Sequence, residues 1–143
     1  MHGQGWKIIY LTRRNVLRQA LSQLLAPLRG QLHQLATDSS RLDRVHVDLE
    51  KLRQNIRNIE AATARDESVM EGVPHLKLVY EDHLLQSERH QETLDSVFNY
   101  IGIPTSPVVT QLKRITPVRV SDFVENFDEL RAFTRNTPYA DFL

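Results

Sequence analysis

The chain has 143 residues, the usual size of one domain, and 41% of them are hydrophobic, which suffices for a single core. Its 18 basic and 18 acidic residues leave no net charge with histidine neutral, and this balance disfavours a duplex nucleic-acid binder. The absence of cysteine excludes disulfides and thiolate metal sites, and no apolar run approaches the roughly 18 residues that span a bilayer. Because the first residues also lack an apolar signal core, we expect a cytoplasmic protein with no membrane or nucleic-acid partner.

The first predicted element is a buried strand over residues 7–12, where the run KIIYLT is rich in β-formers. Asn15 can cap the helix that follows it. Apolar residues recur at helical spacing over residues 16–26, which predicts an amphipathic helix. Pro27 is expected to end or bend this helix.

The middle of the chain predicts a crossover between parallel strands. Residues 31–44 are polar and predict a loop, Asp48 can cap a long second helix, and Gly72 and Pro74 follow its end. A second strand is predicted over residues 76–80, so the element order implies an α/β class. The apolar stripe of the long helix favours packing on a sheet over a coiled-coil seam, because it lasts only about two heptads. That stripe consists of Leu49, Leu52, Ile56 and Ile59.

The last third of the chain predicts a helix, a loop and a packed final segment. Gly102 follows a helical apolar stripe and, with Pro104 close behind, is typical of a helix stop. Residues 105–119 contain prolines and basic side chains, which predict a surface loop. Ser121 is expected to cap a final segment whose aromatic and aliphatic side chains face inward. We predict a single domain over residues 1–143.

Two adjacent arginines, Arg13 and Arg14, stand where the first strand gives way to the first helix. Unpaired N–H groups give a helix start a partial positive charge, so cations there are unfavourable unless an anion compensates them. Arg14, Arg18 and Ser22 are spaced by four residues, which puts Arg18 and Ser22 on one helical stripe. Guanidinium groups suit the planar recognition of phosphate, and a serine hydroxyl can add a donor. The pattern indicates a phosphate site, and the alternative is that these are ordinary surface residues.

A longer stretch around this junction reads YLTRRNVLRQALSQLLA. It resembles the 3′-phosphate-binding motif of sulfotransferases that use 3′-phosphoadenosine-5′-phosphosulfate (PAPS) as donor, and especially the pattern R-R-(N/D)-x-(L/V)-x-Q-A-x-S of the bacterial and carbohydrate-type branch. Ser22 matches the family serine. Arg14 matches the family arginine by its eight-residue spacing, and Arg13 is a rival because it lies three residues after Tyr10. The resemblance implies that one of these arginines and Ser22 bind the 3′-phosphate of PAPS.

Three further stretches resemble the same family in the expected order. LVYEDHLL at residues 78–85 is similar to its Y-E-D-L segment, and SVFNYIGIP at residues 96–104 is similar to a phenylalanine-rich helix ending in L-G-(I/V)-P. Residues 120–143 resemble its tail pattern. The resemblance implies a P-loop-type three-layer fold, with parallel strands flanked by helices. It also implies sulfuryl transfer from PAPS to a hydroxyl of a carbohydrate or another small metabolite.

Two functional parts of the family pattern have no counterpart in this sequence: the R-S-G-T-T/S loop that cradles the 5′-phosphosulfate, and the general base for the acceptor hydroxyl. The segment at residues 3–5 is too short to replace that loop. We therefore leave the catalytic residues unassigned and expect the C-terminal part of a sulfotransferase. Three origins stay open: a truncated gene, a gene fragment, or one half of a split enzyme whose partner chain supplies the N-terminal half. The competing hypothesis is a non-catalytic fragment or interaction module. A nucleotide kinase would need a G-x-x-x-x-G-K-(S/T) loop, which is missing.

Other polar clusters are weaker candidates. Lys113 and Arg114 lie in the proline-containing loop, and the resemblance implies that such a basic loop can close over PAPS, with a solvated surface pair as the alternative. The EDH triplet at residues 81–83 is disfavoured as a catalytic or metal site, because consecutive side chains point in different directions. The resemblance implies that Tyr80 packs and that Glu81 pairs with a nearby base. The six histidines show no ligand spacing, so we expect no metal.

Overall fold

The structure is a computed structural model of the chain, and it shows a mostly helical α/β protein with a small parallel sheet. This agrees with the predicted α/β class. The residues that the structure describes are 5–29, 34–35, 44–110, 112–113 and 119–143.

The chain forms two compact units. The sheet unit consists of Met1–Arg14 and Ala61–Val109, and the core unit consists of Asn15–Glu60 and Thr110–Leu143. Each unit therefore combines two separate stretches of sequence. The expectation of a single domain stays a prediction.

Nine helices and strands lie within the described ranges, together with short 3-10 turns at Ser87–Arg89, Val120–Asp122 and Ala140–Phe142. None of the helices described there has the length and apolar character needed to cross a bilayer. The elements are β1 (Ile9–Thr12), α1 (Val16–Arg29), β2 (Gln34–Leu35), α2 (Leu49–Met70), β3 (Leu76–Val79), α3 (Tyr80–His83), α4 (His90–Ile101), β4 (Leu112–Lys113) and α5 (Phe127–Thr134).

Two short parallel strands organise the sheet unit. Ile9 lies opposite Leu76 and Leu11 opposite Leu78, so the predicted parallel pairing is confirmed. β1 pairs with no other strand in the described ranges. The prediction that this strand is buried is wrong, because Ile9 and Leu11 on one face of it are 41% and 51% exposed. Side chains alternate between the faces of a strand, so these two share one face, which is open at β1 although Leu78 on the same face of β3 is buried.

The ends of two elements in the sheet unit follow local chemistry. β3 stops at Val79 rather than at residue 80, because Tyr80 already begins α3. α4 ends where Gly102 adopts a φ of +82°, the left-handed conformation that glycine tolerates best. The backbone N–H groups of Gly102 and Ile103 both donate to the carbonyl of Phe98, at 2.9 and 3.0 Å. The predicted helix stop is confirmed.

The core unit holds the contiguous hydrophobic cluster. Phe123 is fully buried at its centre, and the stripe of α2 packs there together with α1 and the last segment of the chain. Within the core unit the stripe packs on these neighbours, and its expected packing on a sheet stays a prediction. The buried members of the cluster are Leu17, Ala20, Leu21, Leu25, Val47, Leu52, Ile56, Ile59, Val120, Phe123, Val124 and Leu130.

Side-chain caps begin the two long helices, as predicted. The Asn15 side chain accepts the backbone N–H of Arg18 at 2.8 Å. The Asp48 carboxylate accepts the N–H groups of Glu50 and Lys51 at 3.0 and 3.1 Å. These bonds satisfy donors that have no partner inside the helix, and hydrogen bonding by the backbone of Lys51 lowers the pKa of Asp48.

Of the two predictions for Pro27, an end of the first helix there is wrong and a bend stays a prediction, and the predicted start of the last helix is wrong. α1 continues through Pro27 to Arg29, since a proline near a helix end gives up few backbone hydrogen bonds. Ser121 lies in a 3-10 turn, where its hydroxyl donates to Asp122 at 3.4 Å, and α5 begins only at Phe127. Asn126 instead links two segments, accepting the Val47 N–H at 2.8 Å and donating to its carbonyl at 2.9 Å.

The two predicted loops are partly described. Gln34 and Leu35 form β2, antiparallel to β4, so the expectation of a loop throughout residues 31–44 is corrected there. Residues 105–110 have no regular structure, in agreement with the second predicted loop, whereas Lys113 belongs to β4. The remaining residues of both predicted loops, except 44, 112 and 119, lie outside the described ranges.

Candidate functional site

The arginine pair after β1 meets the segment after β3 within the sheet unit. The Arg14 guanidinium donates to both carboxylate oxygens of Asp82, at 2.5 and 2.8 Å. The backbone N–H of Arg14 donates to Glu81 at 3.0 Å, and Arg13 Nε lies 3.6 Å from the same carboxylate. Because β1 and β3 are parallel, their carboxyl ends share one edge of the sheet, and this edge holds the cluster.

Arg14 and Asp82 form a planar, two-pronged ion pair. The hydrogen bond from Arg14 is the main reason why the pKa of the Asp82 carboxyl is lowered, and the same bond raises the pKa of Arg14. Both side chains are largely solvent-accessible, at 59% for Arg14 and 41% for Asp82. Water therefore screens their attraction, and an anion in solution can reach the same guanidinium.

Arg13 is held differently from its neighbour. Its guanidinium carbon lies 4.7 Å from the centre of the Tyr80 ring, a cation–π distance, and its stem runs toward Glu81. The expectations that Tyr80 packs and that Glu81 pairs with a base are confirmed. Arg13 is the more enclosed of the two arginines, because 26% of its side chain is accessible.

The cluster carries two positive and two negative side chains at the carboxyl ends of two parallel strands. Ligands of open α/β sheets usually bind beyond the carboxyl ends of the strands. The carboxylates already supply the anionic partners that the arginines require, so an incoming phosphate has to displace Asp82 or Glu81 from a guanidinium. The arrangement can therefore bind an anion by exchange, with the carboxylates acting as built-in competitors.

The remaining motif residues belong to α1 in the core unit. Ser22 is exposed on that helix, whereas Arg18 is buried and its guanidinium carbon lies 5.3 Å from the centre of the Phe123 ring. Arg18 and Ser22 are four residues apart on α1, but they differ in solvent exposure because the long side chain of Arg18 lies along apolar surface. Arg13 and Arg14 belong to the sheet unit, so the predicted set is divided between the two units.

The other polar candidates have structural partners or lie outside the described part. His83 Nδ1 accepts the backbone N–H of Val79 at 3.0 Å, and His90 Nε2 lies 2.9 Å from the Leu84 carbonyl. Among the described residues, no group of three or more metal-ligating side chains is gathered. The side chain of Lys113 and all of Arg114 lie outside the described ranges.

Sequence reasoning recognised the arginine pair and the Y-E-D stretch but missed the ion pair to Asp82. Arg14 and Asp82 are 68 residues apart, and no local spacing connects them. One signal could have found the pair: both residues follow predicted parallel strands, and the carboxyl ends of such strands share an edge.

Three comparisons of the chain, with models of protein families, with curated proteins and with solved structures, found no match.

Proposed function

We propose that this chain is the 3′-phosphate-binding part of a sulfotransferase. The enzyme transfers a sulfuryl group from PAPS to a hydroxyl on a carbohydrate or another small metabolite. Arg13 or Arg14 and Ser22 hold the 3′-phosphate of the donor, and the basic pair Lys113 and Arg114 contacts it. The complete fold is of the P-loop-type three-layer class. A partner chain supplies the phosphosulfate loop and the general base, and no metal is required.

One observation carries the proposal: two of the segments that resemble sulfotransferases come together at the carboxyl ends of parallel strands. Arg14 follows β1, Asp82 follows β3, and their side chains are in direct contact. A guanidinium at this edge has the geometry for two parallel bonds to an oxyanion, and it makes those bonds to a carboxylate in the free chain.

The ion pairs of Arg13 and Arg14 also allow an experiment that identifies which of the two arginines binds the 3′-phosphate. If Arg14 binds the 3′-phosphate, the ligand competes with Asp82, and Asp82→Asn should strengthen binding severalfold by removing the competitor. If Arg13 binds it, Glu81→Gln should have that effect and Asp82→Asn should have little. The structure provides this test because each guanidinium forms an ion pair with a different carboxylate, although Glu81 also accepts the backbone N–H of Arg14.

The test is calorimetric titration of the purified chain with adenosine 3′,5′-bisphosphate, with adenosine 5′-monophosphate as the control ligand. We expect saturable binding of the bisphosphate alone. Arg14→Ala should weaken it about tenfold or more, since charge-assisted bonds contribute about 1.5–3 kcal/mol. Ser22→Ala should weaken it less, and Arg65→Ala, on an exposed face of α2, should leave it unchanged. Equal affinity for both nucleotides, or no binding by the folded chain, contradicts the proposal.

A second candidate function is a non-catalytic module whose β1 face packs on a partner chain. The exposure of Ile9 and Leu11 favours it, because uncovered apolar strands are rare on isolated proteins. This candidate predicts that the folded chain ignores the bisphosphate. It also predicts that Ile9→Ser with Leu11→Ser prevents assembly with a co-expressed neighbouring gene product, and unchanged assembly would exclude it.

A further inference from the structure

The core unit contains an open cavity near the end of the chain, with a volume of about 490 Å³. This is within the range of about 300–1,000 Å³ that is common for small-molecule sites. Its wall combines one side of α5 and the residue that follows this helix with the 3-10 turn Ala140–Phe142 and Leu143. The lining residues are Phe127, Arg131, Thr134, Arg135, Ala140 and Leu143.

Hydrogen bonds fix the wall of the cavity before any ligand arrives. The Thr134 side chain is fully buried, and its hydroxyl donates to the carbonyls of Leu130 and Arg131 at 3.2 Å each. The Thr134 carbonyl accepts both the N–H and the hydroxyl of Thr137, at 2.9 and 2.8 Å. A ligand therefore has little of this wall to order, which lowers the entropic cost of binding.

A second tie holds the following turn to the long helix. The Tyr139 hydroxyl hydrogen-bonds the Glu60 carboxylate. Burial and this carboxylate raise the pKa of Tyr139 to about 12, so the phenol remains a donor at neutral pH. Phe127 and Leu143 pack against the core cluster, and they give the cavity a fixed apolar side.

The opposite side of the cavity is cationic. Arg131 and Arg135 are four residues apart, both are exposed, and both line the cavity. Among the described residues, neither guanidinium forms an ion pair with a carboxylate, although Asp128 is only three residues before Arg131. Like charges at this spacing repel each other on a helix, and the partial negative charge of the helix end offsets this only in part.

We propose that this cavity binds a small organic anion, whose oxyanion head bridges Arg131 and Arg135 and whose apolar body contacts Phe127, Ala140 and Leu143. Carboxylates, sulfate esters and phosphate esters share the required head, because each presents two oxygens to a planar guanidinium. An apolar body is required as well, since half of the cavity offers no polar partner. The inference does not depend on the proposed sulfotransferase function.

The alternative explanation assigns the two arginines only to the stability of α5, because cations favour the end of a helix. It predicts that removing them lowers the melting temperature and that no ligand shows a preference for negative charge. The two explanations therefore differ in a binding measurement, which a purely structural role would not affect.

The experiment titrates the full chain with 1-naphthoate, naphthalene-1-sulfonate and 1-naphthyl phosphate, with neutral 1-naphthamide as the control, and follows amide signals by NMR. We expect one saturable site, and the chemical-shift changes of backbone amides should cluster in residues 127–143. The neutral 1-naphthamide should bind about tenfold more weakly than the tightest-binding anion. The order among the three anions identifies the preferred head. Equal affinity for naphthoate and naphthamide, or shifts spread over the chain, would overturn the proposal.

Substitutions at different positions of the cavity test separately how it binds the oxyanion head and the apolar body of the ligand. Arg131→Gln and Arg135→Gln should each weaken anion binding about tenfold, while Arg57→Gln, an exposed arginine of the same unit, should leave it unchanged. Ala140→Phe should abolish binding with both arginines in place, because the new ring fills the apolar side. A folded double variant that carries both Arg131→Gln and Arg135→Gln and still binds the anion with the affinity of the unchanged chain would exclude the site. Unchanged anion binding by the Ala140→Phe variant would also exclude it.

Discussion

The two units of this protein both contain apolar helices and strands, but they bury very different numbers of apolar side chains. The core unit gathers the whole hydrophobic cluster, whereas Leu78 and Val97 are the apolar side chains of the sheet unit that are buried among the described residues. The sheet unit also displays Ile9 and Leu11 on its first strand. Burial of apolar area is the main favourable term in folding, so the two units should differ in their resistance to unfolding. The apolar run in the sequence correctly predicted that β1 forms a strand, but it wrongly predicted that the side chains of this strand are buried.

The largest expected effect is in the core unit. Phe123→Ala should lower the free energy of unfolding by about 3–5 kcal/mol, because it leaves a cavity and removes the ring beside Arg18. Urea denaturation followed by circular dichroism measures this change. Phe133→Ala, at a partly buried position of the same unit, is the control and should cost less. A similar cost for both substitutions would show that the cluster is not the stabilising centre of its unit.

In the sheet unit we expect smaller losses of stability, and these should differ between paired positions of the two strands. Leu11 and Leu78 are register partners, but Leu11 is 51% exposed and Leu78 only 6%. Leu78→Ser should cost about 2–5 kcal/mol, and Leu11→Ser should change stability by about 0.5 kcal/mol or less. The measurement is the same denaturation, with hydrogen exchange of the sheet unit. Equal losses would mean that Leu11 is covered in solution like its partner Leu78 on the same face, and sedimentation velocity would then identify self-association.

The smallest effect concerns the ion pair at the strand ends. Because Arg14 lowers the pKa of Asp82, the pair stabilises the folded state above the usual carboxyl pKa of about 3.9 and loses this contribution as pH falls through the lowered value. NMR titration of the Asp82 carboxyl carbon should give a midpoint below the usual value. In Arg14→Gln the midpoint should rise toward it. An identical midpoint in both chains would assign the shift to another group.

Short-range signals made much of the fold predictable. Asn15, Asp48 and Gly102 act within a few residues of their own position, and the structure confirms all three. The parallel pairing was also predictable, since the order of elements leaves few other topologies. Pro27 and Ser121 misled because the same residue types are tolerated at more than one place in or beside a helix.

Long-range partners were not predictable from the same signals. The need for an anion near Arg14 followed from local electrostatics, but its supply by Asp82 depends on how two distant strand ends meet. The burial of Arg18 likewise depends on Phe123, which follows more than a hundred residues later. A helical stripe indicates which residues share a face of their helix, and it does not identify the side chain that covers that face. The binding role of Ser22 stays a prediction.

The interleaved order of the two units has a consequence for synthesis on the ribosome. α1 and the first half of α2 are translated before the stretch Ala61–Val109 of the sheet unit, whereas Val120, Phe123 and Leu130, which complete their cluster, are translated after it. At about 5–20 residues per second, Phe123 is added about 5–20 seconds after Leu17. Throughout this interval the nascent chain therefore carries two amphipathic helices without the side chains that complete their core.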